Sequence, residues 1–275
     1  MRFSIITVTF NSRKYLADTI KSVLAQDCPD LDYILIDGGS TDGTLEIIRR
    51  HAEADGRIRW ISGPDDGISD AFNKGLALAT GDIIGIINSD DTYAPGALEA
   101  VAGAFRADPS ADVFHGDMIR FQGDTPLFLL KPGRVGSNIW HEMPLNHPAT
   151  FVTKRAYTRV GGFDASLRVA MDYDLILRLY KAGCRFHYLD RVLANMRYGG
   201  ASDERFLAAL REVAAITIRE GYPCYKACGW FACKVAMGVI KNLLRRLGLH
   251  FLMRIHPKFK SCKTEPIDKG GTGCR

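Results

Sequence analysis

The residue types best suited to chemistry stand at 88–91 (Asn-Ser-Asp-Asp), directly after the continuously apolar run 82–88 (DIIGIIN). Neighbouring carboxylates after a buried strand repel each other unless water or a cation offsets their charge. Oxygen ligands of this kind suit Mg²⁺ or Mn²⁺, ions that keep several waters and bridge substrate phosphates. The alternative is that Asp91 caps the following helix while Asp90 faces solvent.

A second polar turn runs from Asp37 to Thr44 (DGGSTDGT), where glycines allow a sharp turn or a close approach to a ligand. Its first carboxylate could accept a hydrogen bond from a base or a sugar. The alternative is a plain glycine-rich turn whose Ser40, Thr41 or Asp42 caps the next helix. The turn has neither the GxGxxG nor the Walker pattern, so neither a nicotinamide site nor a P-loop is supported.

These turns depend on the elements that carry them. Apolar runs and helical periodicities alternate through the first half, which predicts strands at 3–10, 32–37, 58–62 and 82–88 with helices between them. Such alternation is typical of a parallel sheet with helices on both faces, which binds ligands beyond the carboxyl ends of its strands. We therefore expect the polar turns, including 11–12 and 64–67, to gather along one edge.

The second half is less regular. Short strands are predicted at 112–116, 118–121, 127–130, 151–153, 185–189 and 193–198, and helices at 171–182 and 202–220, the latter with Ser202 as its N-cap.

Composition excludes several classes of protein. With 275 residues, 47% of them hydrophobic and 24% charged, the chain fits one large α/β domain or two small ones, and not a disordered, collagenous or coiled-coil protein. The net charge of +5 is unevenly spread, because residues 1–200 hold 22 basic against 25 acidic residues and residues 201–275 hold 14 against 6. A mildly acidic body with a basic tail argues against a nucleic-acid partner.

The basic tail predicts an amphipathic helix over 226–254, with Val239 and Phe251 on an apolar arc and Lys234 and Lys241 on another face. This pattern favours peripheral association with membrane lipid. The alternatives are a helix packed on the body, or a homodimer formed through the apolar arc. We find no signal peptide and no apolar run of spanning length, so the expected location is cytoplasmic, on the inner face of the cell membrane.

Six segments occur in order: 4–12 (SIITVTFNS), 37–44 (DGGSTDGT), 67–75 (GISDAFNKG), 79–91 (ATGDIIGIINSDD), 160–164 (VGGFD) and 171–179 (MDYDLILRL). As an ordered set they resemble family 2 glycosyltransferases, bacterial inverting enzymes, over about residues 2–198. The resemblance implies an α/β protein of the GT-A fold, with a mixed, Rossmann-like sheet flanked by helices and a C-terminal helical tail. It implies a domain over 1–200, with a nucleotide-binding half (1–116) and an acceptor half (117–200), a helical region over 201–260 and a disordered end over 261–275.

The resemblance also implies site residues. The positions matched to nucleotide binding are Thr7, Phe10, Asn11, Asp37 (as acceptor for the base), Asp66, Asn73, Lys74 and Ser89. Asp90 is matched to the ligand of a divalent metal, Mn²⁺ or Mg²⁺, although Asn88 replaces the first aspartate of the family's D-x-D motif. Asp91 and His147 are matched to contacts with the sugar or the acceptor.

The catalytic base is matched to Asp172, although Met171 stands where the family carries an acidic partner. Asp174 is two residues further on, about 200° around a helix, so only one of the two carboxylates can face a given point. The alternative for Asp172 is a carboxylate that merely stabilises the start of its helix through the helix dipole.

The implied activity is inverting transfer of a sugar from a nucleotide-sugar donor, expected to be UDP-linked, to a hydroxyl of a glycan or polyprenyl-linked acceptor in cell-surface polysaccharide synthesis. A non-catalytic nucleotide-sugar-binding or membrane-scaffolding protein is the alternative, because of the departures at Asn88 and Met171. A nucleotidyltransferase is disfavoured, since residues 7–12 contain no glycine.

Overall fold

The computed structural model describes residues 1–28, 30–123, 125–198, 206–246 and 264–265, whose strands form one ten-stranded mixed sheet flanked by helices. In the first half the elements are β1 (Phe3–Thr9), α1 (Leu16–Leu24), β2 (Leu31–Asp37), α2 (Thr44–Ala54), β3 (Ile58–Ser62), α3 (Ile68–Leu78) and β4 (Ile83–Ile86). The four strands are parallel in the order β3-β2-β1-β4. These elements confirm the predicted alternation, and they bring the carboxyl ends of the strands to one edge.

Every residue of β1 and β2 is buried, because helices cover both faces of this part of the sheet. Side chains alternate along a strand, so Ile5 packs into the hydrophobic cluster on one face and Ile6 into the cluster on the other. Leu16 and Ile20 of α1 belong to the first cluster, and Phe72 of α3 belongs to the second. The apolar runs of the sequence are therefore strands whose side chains are buried on both faces of the sheet.

The second half continues with β5 (Thr92–Tyr93), α4 (Ala97–Ala107), β6 (Val113–Gln122), β7 (Thr125–Leu130), β8 (Thr150–Thr153), α5 (Lys154–Val160), α6 (Met171–Lys181) and β9 (Phe186–Arg197). Two short 3₁₀ turns, Ser137–Trp140 and His147–Ala149, lie between β7 and β8. Strand β8 is antiparallel to both β4 and β6, β7 is antiparallel to β6, and β9 is parallel to β6 and antiparallel to β5.

The strand pairs predicted at 112–121 and 185–198 are wrong in one respect, because each pair is a single long strand, β6 or β9. Polar residues inside these strands, such as His115 and Asp117, resemble turn residues in the sequence. The pairing of β6 with β9 also shifts register between Gly116 and Met118, a bulge that interrupts the alternation of side chains.

The C-terminal part contains α7 (Phe206–Arg219) and α8 (Cys224–Arg246), and a two-residue strand, β10 (Thr264–Glu265), that is antiparallel to β7. Helix α7 packs on the body: Ile216 is buried, and Arg219 pairs with Asp164 at 2.7 Å. The predicted N-cap Ser202, the predicted helix beyond Arg246 and the rest of the predicted disordered end lie outside the described residues.

Helix α8 turns apolar side chains outward. Tyr225 and Val239 are 72% and 62% exposed, whereas Lys234 is half-buried, 3.5 Å from a carboxylate oxygen of Glu142 and 5.6 Å from the ring centroid of Trp230. The helix therefore does not bury its whole apolar arc against the body. In the described part of the chain, no helix has the length and apolarity that crossing a bilayer requires.

A pH dependence of stability is expected from His115, which is buried in β6. Burial, aided by the charge of His187, lowers the pKa of His115 to about 4 from its ordinary value of 6.5. Between these two pH values the unfolded chain therefore binds a proton at this side chain that the folded chain does not bind. The free energy of unfolding falls as the pH drops through this range. We expect the free energy of unfolding to fall by about 2 kcal/mol between pH 7.5 and pH 5 through this group.

Urea unfolding of the wild type and of His115→Gln at both pH values measures this contribution. The variant should show the smaller loss on acidification. An equal loss in both proteins would contradict the assignment.

Candidate active site

A cavity of about 510 Å³ lies beyond the carboxyl ends of β1 and β4. Its lining residues come from four places in the sequence: the end of β1 (Val8, Thr9, Phe10, Ser12), the loop after β3 with the start of α3 (Asp65, Gly67, Ile68, Ala71), the segment after β4 (Asn88, Ser89, Asp90, Asp91) and the end of β9 (Met196, Arg197). Its size suits a small-molecule ligand. The predicted gathering of polar turns at one edge is thus confirmed: three of the four turns line the cavity, and the turn after β2 contacts the turn after β1 through the hydrogen bond from the Asn11 backbone N–H to Ser40.

The acidic pair forms the most unusual part of this cavity. Asp91 is 1% exposed; its Oδ1 accepts the backbone N–H of Arg197 at 3.0 Å, and its Oδ2 accepts a hydrogen bond from the amide of Asn88 at 3.3 Å. Burial, with the charge of Asp90 adding to it, raises the pKa of Asp91 to about 7. Burial also raises the pKa of Asp90, an effect that the charge of Arg197 opposes. Negative charge is therefore costly at this place.

A divalent cation fits these residues. Each oxygen of Asp91 already accepts a hydrogen bond, so Asp90 is the carboxylate more open to an ion. Within the described ranges no group of three or more His, Cys, Asp or Glu side chains could hold a metal. Mg²⁺ and Mn²⁺ do not need one, because they commonly bind through one or two carboxylates together with substrate phosphates. A cation would also offset the charge that burial makes costly.

Arg197 is a cavity residue that the sequence did not indicate. Its guanidinium carbon lies 3.8 Å from the ring centroid of Tyr15 and 4.6 Å from that of Phe121. Its Nε is buried and has no hydrogen-bond partner among the residues described. The antiparallel pairing of β5 with β9, which sets Thr92 opposite Asn195, brings Arg197 to the acidic pair. No local pattern in the sequence could have shown this.

Of the residues matched to the nucleotide, Phe10 and Ser89 line the cavity. Phe10 is 64% exposed, and the hydroxyl of Ser89 donates to Oγ of Ser12 at 2.8 Å. Thr7 does not reach the cavity, because it is buried and its hydroxyl shares a 3.1 Å hydrogen bond with that of Tyr33. Asn11 has a positive φ of 49°, and its side-chain oxygen accepts the backbone N–H of Thr41 at 3.0 Å, so it shapes the turn after β1.

Asp37 lies at the end of β2 but is directed into the protein. It is 1% exposed. Its carboxylate accepts hydrogen bonds from the backbone N–H groups of Gly39 and Ser40, both at 3.0 Å, and from the hydroxyls of Ser40 and Ser62. In this structure the carboxylate holds the glycine-rich turn and fastens it to β3. It does not line the cavity.

Asp66, Asn73 and Lys74 also lie outside the cavity. The amide of Asn73 both donates to and accepts from the backbone of Phe163 at 2.8 Å, so it anchors the VGGFD segment to α3. Lys74 donates to the carbonyl of Pro64 and pairs with Asp70, both at 2.8 Å. Asp66 is exposed, and its carbonyl accepts a hydrogen bond from the guanidinium of Arg168. Their match to nucleotide binding stays a prediction.

Asp172 and His147 meet at a second, small cavity of about 10 Å³. Burial lowers the pKa of His147, and the nearby charge of Asp172 opposes that effect. The two cavities share no lining residue, but neighbouring residues of α3 and of the β4 region contact one or the other. The ring centroid of Phe72 lies 5.7 Å from that of His147, while its neighbour Ala71 lines the large cavity. Ile86, at the end of β4, lines the small one.

The two acids of α6 are in different surroundings. Asp174 is fully buried and is held by the guanidinium of Arg178 at 2.8 Å and by that of Arg219. Asp172 is half-buried, and its Oδ1 accepts the backbone N–H of Tyr173 at 2.7 Å. Asp174 is therefore used in packing α6 against α7, and Asp172 is the acid that remains for chemistry.

Helix α7 also positions the start of α6, a role that the sequence did not indicate. The carboxylate of Glu212 accepts the backbone N–H groups of Arg168, Val169 and Ala170 at 3.0, 2.9 and 2.7 Å. These donors immediately precede Met171, the first residue of α6, so the carboxylate holds the chain where it enters the helix that carries Asp172. The C-terminal region, through Glu212 of α7, therefore helps to fix the position of the start of α6.

The sheet order, the flanking helices and the cavity at the strand ends define an α/β protein of the GT-A fold. The mannosyltransferase PcManGT from Pyrobaculum calidifontis, solved in complex with GDP-Man and Mn²⁺, has this fold, with a TM-score of 0.64 at 18% identity over 94% of this chain and 82% of that one. TarS from S. aureus, solved in complex with UDP-GlcNAc, gives 0.62 at 20% identity over 84% of this chain and 71% of that one.

Residues 4–172 match the model of glycosyl transferase family 2, and the chain belongs to this family of transferases. It is 31% identical over 231 residues to a PGL/p-HBAD biosynthesis glycosyltransferase from Mycobacterium bovis, covering 79% of this chain and 87% of that protein. It is also 31% identical over 201 residues to a chondroitin synthase from Escherichia coli, covering 70% of this chain. The chain spans only 28% of the length of that synthase. The predicted family and fold are confirmed.

Proposed function

We propose that the protein transfers a sugar, with inversion at C1, from a nucleoside diphosphate sugar to a hydroxyl group of a glycan or polyprenyl-linked acceptor in cell-surface polysaccharide synthesis. The observation that carries the proposal is the 510 Å³ cavity with its acidic pair. The carboxylate of Asp172, which lines the second cavity, is the proposed base. The names of two relatives, a chondroitin synthase and a PGL/p-HBAD biosynthesis glycosyltransferase, support sugar transfer in the synthesis of polysaccharides or glycoconjugates.

The chemistry follows from the residues present. Asp172 accepts the proton of the acceptor hydroxyl as the oxygen forms its bond to C1, and the bond from C1 to the phosphate oxygen breaks. One displacement inverts C1 and needs no covalent intermediate. His147, kept neutral by burial, lies beside Asp172 and contributes a polar contact to the sugar or the acceptor. Mn²⁺ or Mg²⁺, when bound at Asp90, supplies positive charge that stabilises the departing diphosphate.

A panel of UDP-, GDP- and dTDP-sugars, each with Mn²⁺, tests the proposal. Release of the nucleoside diphosphate is measured by chromatography, with and without EDTA. We expect metal-dependent release from at least one donor, with UDP as the expected carrier. Binding of nucleotide sugars without turnover of any donor, with acceptor glycans present, would favour the non-catalytic alternative.

We also propose peripheral association with anionic lipid on the inner face of the cell membrane through α8. The exposed Tyr225 and Val239 and the net charge of residues 201–275 support it, since amphipathic basic helices bind such surfaces. Val239→Glu should reduce flotation with phosphatidylglycerol vesicles, whereas Ala54→Glu, on the exposed end of α2, should not. If the wild type instead sediments as a dimer that Val239→Glu dissociates, with flotation unchanged, the homodimer alternative replaces this proposal.

A further inference from the structure

The side chain of Asp65 occupies the space beside Gly38. A Cβ atom on Gly38 would lie 2.6 Å from Oδ2 of Asp65 and 3.3 Å from Cδ2 of Phe10. Three chain segments therefore converge here: the end of β1, the turn after β2 and the loop after β3. A side chain at position 38 would displace the end of the Asp65 side chain, so the glycine leaves the carboxylate its present place.

One oxygen of Asp65 is fixed and the other has room for a ligand. Oδ1 accepts the backbone N–H of Gly67 at 3.0 Å, in a turn that Gly67 enters with a φ of 108°. Oδ2 has no hydrogen-bond donor against it in the part of the chain that the structure describes. Asp65 lines the large cavity, and the 64% exposed ring of Phe10 lies next to it.

This arrangement differs from that of Asp37, the carboxylate matched to the base. The oxygens of Asp37 accept four hydrogen bonds from its own turn and from β3. A buried carboxylate with that many donors has no need of a ligand. Asp65, unlike Asp37, lines the cavity, where it lies next to Phe10.

The chemistry of a carboxylate limits which base it can meet. An ionised carboxylate only accepts hydrogen bonds. Uracil, thymine and guanine carry a ring N–H between their exocyclic groups, whereas cytosine and adenine carry a bare ring nitrogen, itself an acceptor, at that position. A planar base against the ring of Phe10 would therefore present a donor from its ring nitrogen to Oδ2 if it belongs to the first group, whereas cytosine and adenine would present an acceptor there and could offer Oδ2 only a neighbouring amino group. Sites built to receive an N–H reject analogues that lack it.

We propose that Asp65 determines the base specificity of this transferase, with its Oδ2 accepting the ring N–H of uracil, thymine or guanine and disfavouring cytosine and adenine. The inference rests on the proposed function, since it requires that the cavity hold a nucleoside diphosphate. Under this proposal, the residue that recognises the base lies in the loop after β3.

Isothermal titration of the protein with UDP, GDP, CDP and ADP, each with Mn²⁺, tests the inference. We expect UDP or GDP to bind roughly 10-fold or more tightly than CDP and ADP, the range of a hydrogen bond to a charged group. Asp65→Asn keeps the shape of the side chain and an oxygen for the hydrogen bond from the Gly67 N–H, but it places a donor where Oδ2 was an acceptor. It should therefore weaken the binding of UDP and GDP, strengthen the binding of CDP and so narrow the ratio of affinities. Asp18→Asn, an exposed carboxylate on α1, should leave the ratio unchanged.

The outcomes separate the two proposals. If none of the four nucleotides binds the wild type, the proposed function fails. If UDP or GDP binds and Asp65→Asn retains the full discrimination with an unchanged thermal unfolding midpoint, the inference fails while the proposed function stands. Narrowing of the ratio by Asp66→Asn instead of Asp65→Asn would also overturn it.

Discussion

Asp172→Asn is expected to lower the kcat of sugar transfer about 1,000-fold, the range that a positioned general base contributes. The amide keeps an oxygen for the backbone N–H of Tyr173, which lies 2.7 Å from Oδ1, so the start of α6 should hold its shape. What the variant loses is the ability to accept the proton of the acceptor hydroxyl. The KM for the donor should change little, since Asp172 lines the small cavity and not the large one.

Asp174→Asn provides the matched control, two residues further along the same helix. It removes a fully buried charge that Arg178 and Arg219 hold by hydrogen bonds, so it should lower the free energy of unfolding by about 1.5–3 kcal/mol. Urea unfolding and initial rates on both variants separate a base from a structural acid. Should Asp172→Asn keep its rate while Asp174→Asn, still folded at low temperature, loses it, the assignment of the base would be reversed.

The first half of the fold could be predicted from the sequence because its signals are local. Strands such as β1 and β2 are buried on both faces and read as continuous apolar runs, and the turns after them carry the polar residues. Connections that are short and right-handed then limit the possible orders of the parallel strands. The position of the edge that holds the cavity therefore follows from the sequence alone.

The second half could not be predicted to the same degree, because its long strands contain polar residues. Asp117 lies buried in β6, where Tyr188 of β9 donates a 2.7 Å hydrogen bond to it. Such a residue is tolerated in a strand only because a distant segment supplies its partner. A single sequence shows the carboxylate but not the hydroxyl that satisfies it, so the strand appears to end there.

In the candidate site, too, some features could be predicted from the local sequence and others depend on how the chain folds. The acidic segment 88–91 was found because it follows a buried strand. Whether a carboxylate faces a ligand or holds its own loop depends on donors brought together by the fold, and this separates Asp65 from Asp37. Arg197 was missed for a related reason, since the pairing of β5 with β9 places it beside Asp91.

Electrostatics at the acidic pair lead to the second large effect. Burial raises the pKa of both Asp90 and Asp91, so the pair holds two negative charges only at a cost. A cation bound at Asp90, as proposed, would remove that cost and would also neutralise the diphosphate of the donor. Metal affinity and nucleotide affinity should therefore depend on each other in the wild type, each ligand strengthening the other by the same factor.

Asp90→Ala should abolish this coupling and lower kcat about 100- to 1,000-fold, because several kcal/mol of charge stabilisation in the transition state is lost. In titrations with UDP, Mn²⁺ should tighten binding to the wild type and leave the affinity of the variant unchanged. EDTA should reduce the wild-type rate to that of the variant.

Asp82→Asn is the control. It removes a carboxylate at the opposite end of β4, where Asp82 accepts the backbone N–H of Arg2 at 2.9 Å, and the variant should behave as the wild type does. A variant at Asp90 that still responds to Mn²⁺ would place the metal on other ligands, and an unchanged wild-type rate in EDTA would show that transfer proceeds without it.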